Sequence, residues 1–428
     1  MRAFPLLPLL TVLAACAPDK VAPVPVMAMV ISNTGQYEPR EVSLSTVQDV
    51  VALSGTAARL VGGARIVDDS NDPLRANVST EEQLRQVLVK SEGLPPRASY
   101  VERAGVLWPA DFHTWNMVST YFNFEKAYLY FQDNGVTMGE TLDPRTGAGP
   151  TVYYFPSLSF EGAAPLEDNA LFHSPIEAFA ILPFKELQDV PLSMNGGVVA
   201  HEFSHRVFSQ RVYGGASIPI PFQTRWIPEG GFTTPGTNLI KGIDEGLADY
   251  HAYGVSCGTS YGCTTRFLEP SLGAFAADGR DFSRLNRCMD LPLRNAISSM
   301  HVGTFGGQGL DYRLGTLLAT ALHRAAGNTK KQTMQRALLA AYNDESGTSP
   351  GLRQLVESNA ETPGNFTLAA VATSILQHIS DPDLKVETCN AFMDHLQIPK
   401  ADMVSGAGAV LACPAESANN GTCPNING

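Results

Sequence analysis

Apolar side chains recur at helical spacing over several stretches of this chain. From Asp111 to Phe131 the aromatic positions Tyr121, Phe124, Tyr128 and Phe131 lie three and four apart, which predicts a helix with one apolar face, closed by Asn134-Gly135. That stripe reads as core packing rather than a cofactor site. Asn195, a plausible N-cap, followed by Gly-Gly and the apolar Val198-Val199-Ala200, predicts a second helix running to about Phe208, and Lys241 to Tyr250 a third. Further on, Lys330 to Tyr342, Thr367 to Ile379 and Leu384 to His395 carry helical periodicity with Gly, Asn, Ser or Pro between them. Ser79 to Val89 opens with a cap residue and an acidic turn and is a shorter helix candidate. Strand signals are fewer: Val26–Ile31, Thr151–Phe155 and Ala178–Leu182 are β-branched or aromatic runs bounded by turn residues. Strands early and helices late predict an α+β fold.

Composition changes this picture little. The 428 residues are 44% hydrophobic and 17% charged, ordinary for a folded protein with a large core. A net charge of −12 argues against a nucleic-acid partner.

The N-terminus adds a location. Residues 1–15 hold one positive side chain, a short apolar stretch and small residues before Cys16, the layout of a secretory signal. Leu13-Ala-Ala-Cys16 resembles the bacterial lipobox, in which the cysteine becomes the lipidated N-terminus. The expected location is the bacterial cell envelope, lipid-anchored at the outer membrane or cell surface, or otherwise secreted. The membrane would then be a partner only through that anchor, because the apolar run is shorter than the ~20 residues that span a bilayer. The other cysteines, Cys257, Cys263, Cys288, Cys389, Cys413 and Cys423, are even in number, as expected of disulfides in an exported chain. Six cysteines allow about fifteen pairings. Cys257–Cys263 and Cys413–Cys423 are the local choices, leaving Cys288–Cys389.

The chemistry concentrates in His201-Glu202-Phe203-Ser204-His205. On a helix, residues four apart share a face, so both imidazoles can hold one metal ion with Glu202 beside them. A catalytic zinc takes three protein ligands and leaves a position for water, whose proton a neighbouring glutamate can accept. In Lys241-Gly-Ile-Asp-Glu-Gly-Leu-Ala-Asp-Tyr250, Glu245 and Asp249 again lie four apart. Glu245 would complete the ligand set, and Asp249 would accept the free ring N–H of a ligand histidine. Glu229 is the rival third ligand, but lacks such a helical partner. It sits in a Pro- and Gly-rich insert after His205, expected as an irregular loop at the rim of the cleft.

Val-Val-Ala-His201-Glu-Phe-Ser-His205 followed by Asp-Glu245-Gly-Leu-Ala-Asp249 resembles the gluzincin metallopeptidases, the thermolysin-like and fungalysin-like families. The resemblance implies Zn²⁺ as cofactor on His201, His205 and Glu245, Glu202 as general base, and a peptide or protein substrate. Asn169-Ala170 is similar to the edge-strand pair that holds substrate backbone in those enzymes. Asp311-Tyr312-Arg-Leu-Gly315 resembles their later helix, in which a histidine steadies the transition state. Tyr312 stands at that position here, with His301 as the runner-up. The interval from His205 to Glu245 is also longer than usual for the group. The resemblance implies the gluzincin, thermolysin-like two-lobe fold, with a mixed-sheet N-terminal lobe and an all-helical C-terminal lobe, and the expected organisation is a signal at 1–15, a tether and small N-terminal region at 16–110, and a metallopeptidase domain at 111–428, its α/β lobe at 111–240 and helical lobe at 241–428. The expected function is a zinc endopeptidase. The alternative is a gluzincin-like lipoprotein with weak or no activity that acts as a binding or structural module. Asp-rich runs suited to calcium are absent, so no calcium site is expected.

Overall fold

The structure is a computed structural model that describes residues 22–411 apart from 33–35, 138, 140–141, 144–145, 185–188, 216–234, 258–263, 299–303, 306–307, 345–349, 360–365 and 406–409. Residues 1–15 and Cys16, the insert with Glu229, His301, and Cys263, Cys413 and Cys423 therefore lie outside the described residues, and the Cys257 side chain is likewise not described. Among the described residues, no helix is long and apolar enough to cross a membrane.

The architecture is α+β, with sheets in the N-terminal half and helices after them. A first antiparallel hairpin, β1 (Val24–Ile31) and β2 (Tyr37–Leu44), alternates buried and exposed positions along β2, as a strand with one face on the core should. Short strands β3 (Val47–Asp49), β4 (Ser54–Gly55), β5 (Arg59–Gly62) and β6 (Arg65–Asp68) lead to helix α1 (Glu81–Leu88). Its N-cap is Thr80, which accepts a hydrogen bond from the Gln83 N–H. Strands β7 (Val89–Ser91), β8 (Tyr100–Arg103) and β9 (Val106–Pro109) precede the long helix α2 (Phe112–Asp133), capped by Asp111. Then come β10 (Thr151–Tyr154), β11 (Ser157–Phe160), β12 (Ala170–His173) and β13 (Ala178–Ile181).

The central sheet has the order β12-β13-β10-β5-β4-β3. Strand β10 runs parallel to β5 and β13 and is buried at all four positions, as a strand covered on both faces must be. Strand β12 is antiparallel to β13 and forms the open edge. The first hairpin joins β9 and β8 in a separate sheet of order β2-β1-β9-β8. Val26 and Leu44 of that hairpin share one core with Tyr121 of α2 and with residues as late as Met403, so the N-terminal region packs into the same body as the rest.

The helices that follow are α3 (Gly196–Val212), α4 (Pro235–Cys257), α5 (Glu269–Arg280), α6 (Leu291–Ser298), α7 (Leu310–Ala326), α8 (Lys331–Tyr342), α9 (Leu352–Ser358), α10 (Leu368–His378) and α11 (Pro382–His395). The helical half is not entirely helical as expected, since two-residue ladders pair Thr304–Phe305 with Gln308–Gly309 and Val404–Ser405 with Val410–Leu411. Cys288 and Cys389 are both disulfide-bonded, in keeping with the third expected pair.

Two packing features set up the functional region. Helices α4 and α7 approach so closely that a Cβ on Gly246 would lie 2.4 Å from the Gly315 carbonyl oxygen, and one on Gly315 would lie 2.7 Å from the Gly246 nitrogen. Glycine at both positions therefore brings Glu245 on one helix beside Tyr312 on the other. On the opposite side of α3, Phe203 is fully buried and stacks on Phe131 of α2 and Phe179 of β13, with centroids 5.6 and 6.0 Å away. Truncating Phe203 to alanine should cost about 3–5 kcal/mol, read as a lower midpoint in urea unfolding. A change under about 1 kcal/mol would show that this aromatic stack does not anchor α3.

Candidate metal centre

His201, Glu202 and His205 project from the middle of α3, whose N-cap is Asn195 as expected. Glu245 projects from α4 and meets them, so the residues expected as ligands are brought together from two helices. The Nε2 atoms of His201 and His205 are 3.0 Å apart. Glu245 Oε2 lies 3.3 Å from the former and Oε1 3.8 Å from the latter.

The second nitrogen of each ring explains the arrangement. His201 Nδ1 is 2.9 Å from Asp249 Oδ1, the partner expected for a ligand histidine. His205 Nδ1 is 2.8 Å from Asp244 Oδ1, a partner the sequence reading missed. A carboxylate only accepts, so His205 Nδ1 carries the proton it shares with Asp244 and the lone pair of the neutral ring is left on Nε2, whereas His201 Nδ1 stands at contact distance from Asp249 without an aligned hydrogen bond. Two buried ring nitrogens thus face each other with a carboxylate alongside. That is costly unless a proton or a metal cation lies between them.

The donor set fits zinc. Tetrahedral ligands at about 2.0–2.1 Å from the ion sit roughly 3.3 Å from one another, close to the observed 3.0, 3.3 and 3.8 Å. Two imidazoles and one carboxylate also match the composition of a catalytic site that keeps a position open. Among the described residues this is the only cluster of this kind.

A cleft of about 630 Å³ surrounds the cluster. Its lining includes the apolar Leu192, Val198, Phe267, Leu268 and Leu272 and the polar Lys241, Asp311 and Tyr312. Asn169 and Ala170 line the cleft where β12 begins. The Glu202 carboxylate accepts a hydrogen bond from the Phe172 N–H of that strand at 2.8 Å. Burial raises the Glu202 carboxyl above the usual range, against the pull of the two histidines.

Arg280 is the second residue that escaped the sequence reading. Its guanidinium lies 2.6 Å from Asp249 Oδ1 and 3.0 Å from Glu245 Oε2, and stacks over the Tyr312 ring at 4.4 Å. It compensates the carboxylates that orient His201 and complete the donor set. Asp244 could have been found from its place directly before Glu245. Arg280 carried no signal, since it reaches the site only through the packing of α5.

Without metal, burial opposes protonation of His205, but Asp244 and Glu245 outweigh it and hold the ring up at about 10. Glu245 moves the other way: burial would raise it, yet His205, His201 and Arg280 bring it down to about 2. In the metal-free protein the His205 contribution to stability is complete below its ordinary 6.5 and is lost as pH rises through about 10. The Glu245 contribution is present above 4.5 and is lost as pH falls through about 2. A metal ion must displace the imidazole proton, so zinc affinity should rise with pH from 6 towards 10, about tenfold per unit for each proton released. Competition with a chromophoric chelator at constant ionic strength measures this, and a flat profile would rule out binding at these imidazoles. Replacing Asp244 by alanine should weaken zinc about 10–100-fold while Asp244→Asn costs less, in the same assay.

Set against known proteins, the chain matches no family model and no curated protein, so the chemistry of this centre is carried by its own geometry.

Proposed function

We propose that the protein is a zinc-dependent endopeptidase with the gluzincin two-lobe fold, using His201, His205 and Glu245 as metal ligands and Glu202 as general base. One observation carries the reading: two imidazole Nε2 atoms and a glutamate converge in a cleft bordered by an open edge strand. A zinc ion held there supplies a Lewis acid that polarises a carbonyl and brings the pKa of a water near ~7.

The chain's residues do the remaining work. Glu202 takes the proton of the attacking water and delivers it to the leaving amine, and a carboxyl raised by burial suits both steps. The Phe172 N–H fixes that carboxylate. Because Phe172 turns its N–H to the cleft, Ala170, two residues earlier on the edge strand, faces the same way, and an extended peptide can add there as a further strand. Asn169 lies at the start of this rim. Tyr312 donates its hydroxyl to the developing oxyanion. The Glu245 charge, together with burial, holds the phenol in its protonated form. Arg280, stacked on that ring, sets where the phenol stands.

Export and lipid anchoring at Cys16 belong to the same proposal and rest on residues 1–16. An anchored peptidase would act on peptides or proteins at the cell envelope.

Replacing Glu202 by Gln should leave zinc bound at one per chain and slow hydrolysis of a fluorogenic peptide library by about 10²–10⁴-fold. Full activity in that variant, or in wild-type protein stripped by a chelator, would sink the peptidase reading. Zinc retention with no cleavage by wild-type protein would point to the binding-module alternative. Tyr312→Phe should lower kcat by about 10²–10³-fold with little change in KM. An unchanged kcat would remove Tyr312 from the mechanism.

A further inference from the structure

The start of α3 leaves four backbone N–H groups without partners inside the helix. All four are accounted for. The side chain of Asn195 accepts from Gly197 at 3.1 Å and Val198 at 3.3 Å, and the N–H of Asn195 itself donates to the Leu192 carbonyl at 3.1 Å. The remaining one, on Gly196, donates to the hydroxyl of Tyr37 at 3.2 Å. That hydroxyl in turn donates to Asn195 Oδ1 at 3.4 Å. Tyr37 begins β2, far away in sequence, so the first hairpin supplies the one hydrogen bond that the local cap cannot make.

The same point is held from other sides. Asn123 Nδ2 donates to the Met194 carbonyl at 2.9 Å, and Thr120 Oγ1 to that of Ser193 at 2.7 Å. Asn195 Nδ2 donates to the Phe267 carbonyl at 2.7 Å and to Ser271 Oγ at 2.8 Å, which ties the helix start to the apolar lining of the cleft and to α5. Space is tight: a Cβ on Gly196 would meet Asn123 Oδ1 at 2.8 Å, and one on Gly197 the Cβ of Phe267 at 2.3 Å. His201 is five residues further along, roughly 8 Å down the helix axis.

We propose that Tyr37 is a positioning residue for the metal centre, and that the hairpin carrying it stays with the active protein rather than serving as a segment removed on maturation. This inference rests on the zinc reading of the site. Tyr37 acts through α3: its hydroxyl holds the first turn in register with Phe267 and Ser271, and so fixes where the His201 imidazole stands relative to Glu245 on α4. The hairpin is also tied in elsewhere. The Met29 N–H donates to Ser119 Oγ at 3.0 Å. Just beyond the hairpin, the N–H groups of Ser45 and Thr46 donate to the buried Glu125 carboxylate at 2.9 and 2.8 Å. Removing the hairpin would expose the cap and leave the Gly196 N–H without its acceptor.

The test compares full-length Tyr37→Phe with Val42→Ala, a control in β2 that thins the hairpin core without touching the hydroxyl. Zinc-loaded protein is challenged with excess chelator and metal release is followed, with thermal midpoints measured in parallel. Tyr37→Phe should release zinc about fivefold faster, the scale of a lost helix cap. Val42→Ala should lower the thermal midpoint at a wild-type release rate. Wild-type release from Tyr37→Phe, or equal acceleration in both variants, overturns the proposal. Peptide cleavage plays no part in this readout, so failure of the peptidase reading leaves the comparison intact. Intact mass of the zinc-loaded protein recovered from cells supplies a second arm: it should include residue 37, and a zinc-loaded species that lacks it overturns the proposal.

Discussion

Two imidazole rings are turned so that their Nε2 atoms face each other across 3.0 Å in a buried site, and much of the surrounding structure serves that constraint. Asp244 imposes it on His205 by accepting the Nδ1–H of that ring, and Asp249 lies 2.9 Å from His201 Nδ1. Neither carboxylate touches the meeting point, yet removing either would let a ring turn and the arrangement dissolve. Without a metal the site keeps a proton on His205, and a metal cation that enters takes the place of that proton. The preference for a cation follows from geometry alone.

The fold supplies this geometry through a few close contacts. Phe203 anchors α3 against α2 and the sheet, which fixes how the His201 and His205 face is turned. Gly246 and Gly315 bring α4 and α7 together, so that Glu245 and Tyr312 sit on facing surfaces of the cleft. Edge strand β12 then borders the cleft and contributes the N–H that holds Glu202. Sheet half and helical half meet at the metal centre, so neither would form the site alone.

What could be read from the sequence follows the range of each interaction. The i, i+4 pairs His201/His205 and Glu245/Asp249 are local, and helical periodicity was enough to put each pair on one face. The long helices with strong apolar stripes, such as 112–133 and 331–342, were legible to within a residue or two at their ends. Strands β2, β5, β6, β8 and β9 were not read, because they are short and take their order from partners remote in sequence. Arg280 and Tyr37 were missed for the same reason: each is a polar residue of ordinary type whose partner is chosen by packing. Asn195 was legible as a cap, but nothing local revealed that it shares Gly196 with a tyrosine from the first hairpin.

Charge completes the argument for a divalent ion rather than a proton. Around the meeting point stand Glu202, Asp244, Glu245 and Asp249, with the Arg280 guanidinium among them. Lys241 and Asp311, which also line the cleft, attract one another. With neutral imidazoles the inner group is strongly negative, and a shared proton relieves only part of that charge. A dication relieves about twice as much at the point where the two rings and Glu245 converge, and the gain is larger in a buried site than in water. Because the unfolded chain has no such arrangement, that gain is also folding free energy. The ion the site is shaped to hold would therefore stabilise α3 against α4, and the Tyr37 cap and the metal would reinforce the same helix from its two sides.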